Sequence, residues 1–215
     1  MQFANTLAVA ASFIAAVSGA SVPSPYDRQT SCTVDSTTNG TTNGTAPAMP
    51  PAYFQLMALH SASLVHFRFQ AARSSIFLKL PSQNATCDDG KAPVADAEAA
   101  TFYLSDDGGL HLYGPSNTPQ QLYADRSGMG QGKLGYTTGA RPAPRNGDRT
   151  GWAVDQYGDL TFDGAGFLAC PGSIENSWSI WVSSGAANPG GYTGCLAVSA
   201  RAVAVEEPSS CVYVF

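Results

Sequence analysis

Charged side chains are scarce in this chain, because only 13% of its 215 residues are Asp, Glu, Lys or Arg. The net charge is −5 at pH 7, so the basic excess that nucleic acids and anionic membranes attract is missing. We therefore expect no nucleic-acid partner. The 22 glycines and 14 prolines indicate many turns and short strands rather than solvated helices.

Motifs of common reaction centres are also missing. The chain has no Gly-x-Ser-x-Gly elbow. Residues 127–134 fail the phosphate-loop pattern, because Ser127 and Leu134 stand where Gly and Ser or Thr are required. No cysteine spacing matches a zinc site. We predict no catalytic residue, no metal site and no cofactor, and we interpret the three scattered histidines as structural: His60, His66 and His111.

Several aspartates lie at or beside turns, where this side chain commonly caps the backbone. A glycoside hydrolase would instead need two carboxylates held across the scissile bond at a defined separation. The spacing does not demand such a pair, so a glycoside hydrolase is only a further alternative. The residues concerned are Asp106, Asp107, Asp155, Asp159 and Asp163.

The first twenty residues have the features of a secretory signal peptide. Residues 7–17 form an apolar run broken only by Ser12, and residues 18–20 are small, as signal peptidase requires. The run is short for a membrane span. The C-terminus lacks the hydrophobic tail of a glycolipid-anchor signal. We therefore predict a secreted protein, with residues 1–20 removed and no membrane anchor.

Residues 21–52 are dominated by Ser, Thr, Asn, Gly and Pro, with few large apolar side chains. Such a segment cannot bury enough surface to offset its ordering entropy. We predict a disordered, glycosylated tail. Sequons for N-glycosylation place two acceptors in it, Asn39 and Asn43, and a third acceptor, Asn84, beyond it.

From residue 53 to residue 215 apolar and polar residues alternate, as in half-buried strands. Residues 102–112 and 152–162 match each other at an offset of fifty, and each predicts two strands joined by a glycine-containing turn. A fainter copy begins at Phe54. Three such hairpins favour a β-trefoil-like assembly, and a two-sheet β-sandwich is the runner-up. We predict a single disulfide-braced all-β domain.

Five cysteines remain after the signal, and in an oxidising compartment two pairs are expected. Cys170 and Cys195 follow consecutive strand-like runs and enclose a turn-rich loop, so we favour that pair. Cys87 with Cys211 is the second candidate pair. Cys32, in the tail, is then left as a free thiol.

Two features suggest a binding surface. In residues 177–183, alternation places Trp181 opposite Trp178, so Trp181 is a candidate for stacking on a sugar ring, but the alternative of core or interface packing is favoured. Basic residues also cluster in one region, which indicates either solvated turn charges or a patch for acidic polysaccharide or phosphorylated glycan. They are Arg126, Lys133, Arg141, Arg145 and Arg149.

Several segments resemble the PhiA family, cell-wall proteins of filamentous fungi linked to phialide and conidium formation. The main segment is 125–139 (DRSGMGQGKLGYTTG), and others are 72–77, 82–87, 178–181 and 186–190. The resemblance implies a secreted, glycosylated wall component that is needed for asexual sporulation and protects against stress. It supplies no catalytic residue.

Our leading hypothesis is a secreted, non-enzymatic cell-wall protein that supports phialide and conidium development and stress protection. The alternative is a lectin-like module that binds cell-wall polysaccharide, and the weaker alternative is a wall-modifying glycoside hydrolase. Expected partners are wall polysaccharide or other wall proteins.

Overall fold

The computed structural model describes residues 50–59, 62–88 and 99–213. The predicted signal peptide, most of the tail, Asn39, Asn43, Cys32 and His60 lie outside the described residues. Within these ranges the chain forms strands and two single turns of 3-10 helix, Ile174–Asn176 and Pro189–Gly191. The strands are β1 (Phe54–Leu59), β2 (Gln70–Ala72), β3 (Ser75–Leu78), β4 (Thr86–Cys87), β5 (Thr101–Leu104), β6 (Leu110–Leu112), β7 (Gln120–Asp125), β8 (Lys133–Thr138), β9 (Trp152–Val154), β10 (Asp159–Phe162), β11 (Phe167–Cys170), β12 (Trp178–Val182), β13 (Leu196–Ala204) and β14 (Cys211–Val212).

Nine strands close into an antiparallel barrel in the order β1-β5-β6-β7-β8-β3-β12-β11-β13, and β13 pairs back onto β1. The closing ladder runs from Phe54 opposite Ala204 to Leu59 opposite Ser199. Strands β10 and β9 extend from β13, β2 pairs with β3, and β4 pairs with β14 separately. Closure leaves the nine strands without an open edge, which protects the sheet from pairing with other chains.

The all-β prediction is confirmed, whereas neither a trefoil nor a sandwich arrangement is. The two matching segments do form hairpins, with Phe102 opposite Leu112 in one and Trp152 opposite Phe162 in the other. The first hairpin (β5–β6) belongs to the closed ring, but the second (β9–β10) is an extension of β13. Similar local hairpins therefore occupy unlike places in the sheet.

Large side chains from the strands and from the segment before β2 form one buried core. Phe54, Phe102 and Phe162 have no exposed surface, and Tyr136 and Phe69 are 1% exposed. Full burial of one such side chain contributes about 1.5–3 kcal/mol to stability. The alternation seen in the sequence is thus the alternation between the barrel interior and its outer face.

Buried polar side chains tie the end of the described chain to the barrel. Gln120 imitates a neighbouring strand: its Nε2 donates to the Tyr213 carbonyl at 2.9 Å, and its Oε1 accepts from the Tyr213 amide at 2.9 Å. The Thr101 amide donates to the Tyr213 hydroxyl at 3.0 Å. Because each of these groups is buried, leaving one unpaired would cost about 1–3 kcal/mol.

Two disulfides brace the structure, which confirms that the protein is disulfide-bonded. One joins Cys87 of β4 to Cys211 of β14, which lie directly opposite each other in the short ladder. The other joins Cys170, at the end of β11, to Cys195, just before β13. Cys170–Cys195 is the pair that the sequence favoured, and Cys87–Cys211 is the second candidate pair.

We predict that the Cys87–Cys211 bridge stabilises the fold more than the other bridge does. Its sequence separation is 124 residues, against 25 for Cys170–Cys195. In the chain-entropy model, loops of these sizes correspond to about 4–5 and about 3 kcal/mol. Guanidinium unfolding of the two paired Cys→Ala variants measures the difference. Equal losses, or a larger loss at Cys170–Cys195, would contradict the prediction.

We also predict that the protein loses stability at alkaline pH because Tyr213 ionises. Burial raises the pKa of Tyr213 to about 12, whereas an unfolded tyrosine titrates near 10. The unfolded state therefore loses the proton first. The contribution of Tyr213 is complete below pH 10 and declines by about 2–3 kcal/mol as the pH rises to 12.

Urea unfolding at pH 9 and pH 12 measures this decline. The Tyr213→Phe variant should be less stable at pH 9 but should lose less stability between the two values. Tyr157→Phe is the control, because the Tyr157 side chain is 70% exposed. If both variants show the wild-type pH dependence, Tyr213 is not responsible.

Candidate functional site

A polar groove of about 640 Å³ opens where three connections of the fold meet. The first is the β7–β8 loop, the second is the long β8–β9 connection, and the third is the segment that follows β12. Hydroxyl, amide and guanidinium groups dominate its walls. The lining residues are Arg126, Ser127, Arg145, Asn146, Asp148, Ser183 and Ser184.

The β7–β8 loop is braced by its own hydrogen bonds. Asp125 accepts from the Ser127 amide through its carboxylate at 3.0 Å and from the Gly132 amide through its carbonyl at 2.8 Å. The Gly132 carbonyl in turn accepts from the Val182 amide at 2.8 Å. Gly132 has φ +93°, and a Cβ there would lie 1.9 Å from the Val182 oxygen. Glycine therefore allows this loop to pack against the end of β12, beside the groove.

The β8–β9 connection is held against the outer face of the barrel at two points. The backbones of Asp148 and Ala124 exchange two hydrogen bonds of 2.9 Å. The next residue, Arg149, lies across β7 and β8. Its guanidinium donates to three oxygens: Gln121 Oε1 at 3.0 Å, Thr137 Oγ1 at 2.7 Å and the Arg141 carbonyl at 2.9 Å. Arg149 is thus a clamp that positions the connection from which Arg145, Asn146 and Asp148 line the groove.

The two groove arginines differ in the contacts that their guanidinium groups make within the protein. Arg126 donates to the Asp163 carboxylate at 2.5 Å, and its guanidinium lies 4.6 Å from the centre of the Phe162 ring. Arg145 is exposed and has no ion-pair or hydrogen-bond partner among the described residues. A guanidinium offers paired donors that match carboxylate and phosphate oxygens. The groove can therefore hold an acidic group, while its amide and hydroxyls suit sugar hydroxyls.

The basic cluster seen in the sequence is divided by the fold. Arg126 and Arg145 line the groove, and Arg149 is the clamp. Lys133 is partly buried: its Nζ donates to Ser75 Oγ at 3.1 Å and lies 5.3 Å from the centre of the Trp181 ring. Burial lowers the pKa of Lys133. The cluster is therefore neither a uniform solvated surface nor one continuous patch.

The interpretation of Trp181 as an exposed sugar platform is wrong, because this side chain is only 6% exposed. Its outer side is covered by the segment that contains the second 3-10 turn. The Tyr192 ring meets it edge-on at 5.9 Å, and a Cβ on Gly190 would lie 2.6 Å from it. Both faces of β12 are covered at this point, so Trp181 packs as the alternative interpretation expected.

Comparison with known proteins identifies the family. The model of the PhiA family, described as PhiA-like secreted protein, matches residues 54–214. This chain belongs to the PhiA family. The cell wall protein phiA of Aspergillus fumigatus is 54% identical over 162 residues, which cover 75% of this chain and 84% of that protein. No solved structure matches the chain.

Further PhiA relatives are similarly covered. The cell wall protein phiA of Aspergillus niger is 50% identical over 161 residues, covering 74% of this chain and 84% of that protein. The cell wall protein phiA of Arthroderma benhamiae is 40% identical over 167 residues, covering 76% and 88%. Together the family and these relatives support a fungal cell-wall protein, and the predicted secreted, cell-wall localisation is confirmed.

In this PhiA chain, His111 is half-buried rather than directed to solvent. Its ring stacks on Tyr103 at 5.0 Å, and its Nε2 lies 3.3 Å from Ser105 Oγ. Burial lowers the pKa of His111, and the Ser105 hydroxyl holds the pKa of Asp107 below its usual range. The Ser105 hydroxyl donates to Asp107 Oδ1 at 2.5 Å, so the carboxylate is hydrogen-bonded to the serine. This arrangement braces the β5–β6 turn and lacks the order of contacts of a catalytic triad.

Two of the other turn aspartates, Asp155 and Asp159, also make structural contacts. Asp155 Oδ1 accepts from two turn amides, those of Tyr157 and Asp159, at 2.8 and 3.0 Å. Asp159 pairs with Arg201 at 2.6 Å. Among the described residues, no group of three or more His, Cys, Asp or Glu side chains forms a metal site. The described helices include none that is long and apolar enough to cross a membrane.

Asn84 is exposed, so its side chain is accessible, and its glycosylation stays a prediction.

Four of the groove residues were not predicted from the sequence, because residues from separate connections share no local pattern. They are Asn146, Asp148, Ser183 and Ser184. The pairing of β7 with β8 and the packing of Gly132 against β12 bring them together.

We predict that Arg149→Gln loosens the β8–β9 connection while the barrel stays folded. The variant removes charge-assisted hydrogen bonds, which contribute about 1.5–3 kcal/mol each to local stability. Hydrogen exchange at the Asp148 and Ala124 amides should become about 10-fold faster or more. Arg73→Gln is the control, since Arg73 is exposed and only pairs with Glu175 at 3.6 Å. Unchanged exchange at both amides would show that Arg149 is not a clamp.

Proposed function

We propose that this chain is a non-enzymatic component of the fungal cell wall that supports phialide and conidium development and protects the wall under stress. The observation that carries the proposal is PhiA-family membership, since its relatives are named as cell wall proteins. The developmental and protective roles come from the family resemblance seen in segment 125–139. A closed sheet with two disulfides suits a protein that must stay folded outside the cell.

The non-enzymatic part of the proposal is supported by what the acidic side chains do. Asp107, Asp155 and Asp159 hold turn amides or an arginine, and Asp163 pairs with one nitrogen of Arg126. Carboxylates engaged in this way are poorly placed to act as a free acid and base pair. A purified protein that releases sugars from wall polysaccharide would contradict this part.

Cell fractionation and gene deletion test the main role. We expect the protein in the washed wall fraction, and we expect a deletion strain to form fewer normal phialides and conidia. Wild-type protein should restore them, and a Cys87→Ala/Cys211→Ala variant should restore them less well because its fold is weaker. Recovery of the protein from the culture medium alone, or a deletion strain with normal sporulation, would count against the role.

A lectin-like role is the second candidate, and the groove favours it. Its donors come from three connections anchored to a rigid sheet, which is how a preorganised saccharide site is built. Pull-down with chitin, β-glucan and mannan tests the idea. Binding that disappears in Asn146→Ala but persists in Arg73→Gln is expected. A protein retained by none of these polymers would exclude the lectin-like role without touching the wall role.

A further inference from the structure

A second, apolar cavity adjoins the polar groove. It has a volume of about 230 Å³ and shares Ser183 with the groove as a common wall. Strands β11 and β13, which pair through Phe167 opposite Val198, form its floor. The remaining lining residues are Gly166, Leu168, Ala197 and Ser199.

The polar groove and the apolar cavity together offer surfaces that suit two adjacent sugar units of one saccharide. A sugar ring has an apolar face of C–H groups as well as hydroxyls at its edge, so it can use an apolar surface beside polar donors. The floor offers aliphatic surface from Leu168 and Ala197 rather than a flat aromatic ring. Ser183, between them, can donate to a hydroxyl or a glycosidic oxygen of either unit.

The charge of the groove selects for a sparsely charged ligand. Arg145 is an exposed cation without a partner among the described residues, and Arg126 keeps donors that its contact with Asp163 does not use. One carboxylate, that of Asp148, lies in the same wall. The whole chain carries −5, which repels densely charged polyanions. A saccharide with a single acidic group can use the arginine donors and, because the rest of it is neutral, is repelled little by the negative chain.

We propose that the groove binds an acidic saccharide, with its phosphate or carboxylate held by Arg145 and Arg126 and the neighbouring sugar unit in the apolar cavity. This inference rests on the lectin-like role and specifies its ligand class. The acidic group accepts from the two guanidinium groups. Asn146 and the serines donate to hydroxyls, and Asp148 accepts from one.

Calorimetric titration of the full secreted chain tests the ligand class with four probes. These are a phosphorylated mannose disaccharide, an oligosaccharide that contains a uronate, neutral mannobiose and inorganic phosphate. We expect the two acidic saccharides to bind at least 10-fold more tightly than mannobiose and inorganic phosphate, and to weaken as salt rises. The stronger of the two identifies phosphate or carboxylate as the preferred group.

Two variants with matched controls test the two parts of the site. Arg145→Gln should lower the affinity for the acidic saccharides about 10-fold, whereas Arg73→Gln should leave this affinity unchanged. Ala197→Phe fills the apolar cavity and should weaken the disaccharide but not inorganic phosphate. Ala153→Phe is its control, because Ala153 is likewise an exposed strand alanine. All four substituted residues are exposed or line a cavity, and equal melting temperatures will show that the fold is intact.

The outcomes separate this inference from the proposals on which it depends. Equal affinity for neutral and acidic saccharides, or an Arg145→Gln variant that binds as wild type, overturns the acidic ligand but keeps the lectin-like role. Inorganic phosphate that binds as tightly as the disaccharides overturns the two-part site. No binding of any saccharide overturns both and leaves the wall role untouched.

Discussion

The ladder between β1 and β13 joins the first strand of the described chain to one near its end, and six residue pairs form it. The ring depends on this ladder, because without it the sheet would remain open and would present unpaired amides at β1 and β13. β13 is long enough to serve three neighbours: it pairs with β11, with β10 and with β1. The interior filled by Phe54 and Phe102 exists only after the sheet has closed.

Rigidity of the closed sheet allows its connections to carry a site. The loop after β7, the connection before β9 and the segment after β12 have little regular structure, yet each is fastened to a strand. Asp148 is paired with Ala124 of β7, and Gly132 is paired with Val182 of β12. A groove built in this way loses little entropy on binding, because its donors are already positioned. The same fastening accounts for Arg149, a cation that holds a loop rather than a ligand.

Local patterns predicted local structure well. Period-two alternation and the turn glycines predicted the β5–β6 and β9–β10 hairpins, whose turn residues Gly108 and Gly158 both have positive φ. Strand-like runs before Cys170 and Cys195 favoured that pair, whereas Cys87–Cys211 was only the second candidate. The sequence left a sugar platform open as a possible role for Trp181, since alternation identifies the two faces of a strand but not whether the outer face is covered. Lys133 and Tyr192, which belong to other segments of the chain, both contact the Trp181 ring.

The sequence by itself determined the compartment, the strand-rich class, the hairpins and the family, because signals, alternation and motifs are local and can be read residue by residue. The tertiary structure alone decided that nine strands close into a ring, that the basic cluster divides between the groove, the clamp and the contact with Trp181, and that Ser183 and Arg145 line one groove. These facts depend on which strands become neighbours. Strand pairing between distant segments is set by the packing of the whole core, and no short stretch of sequence records it.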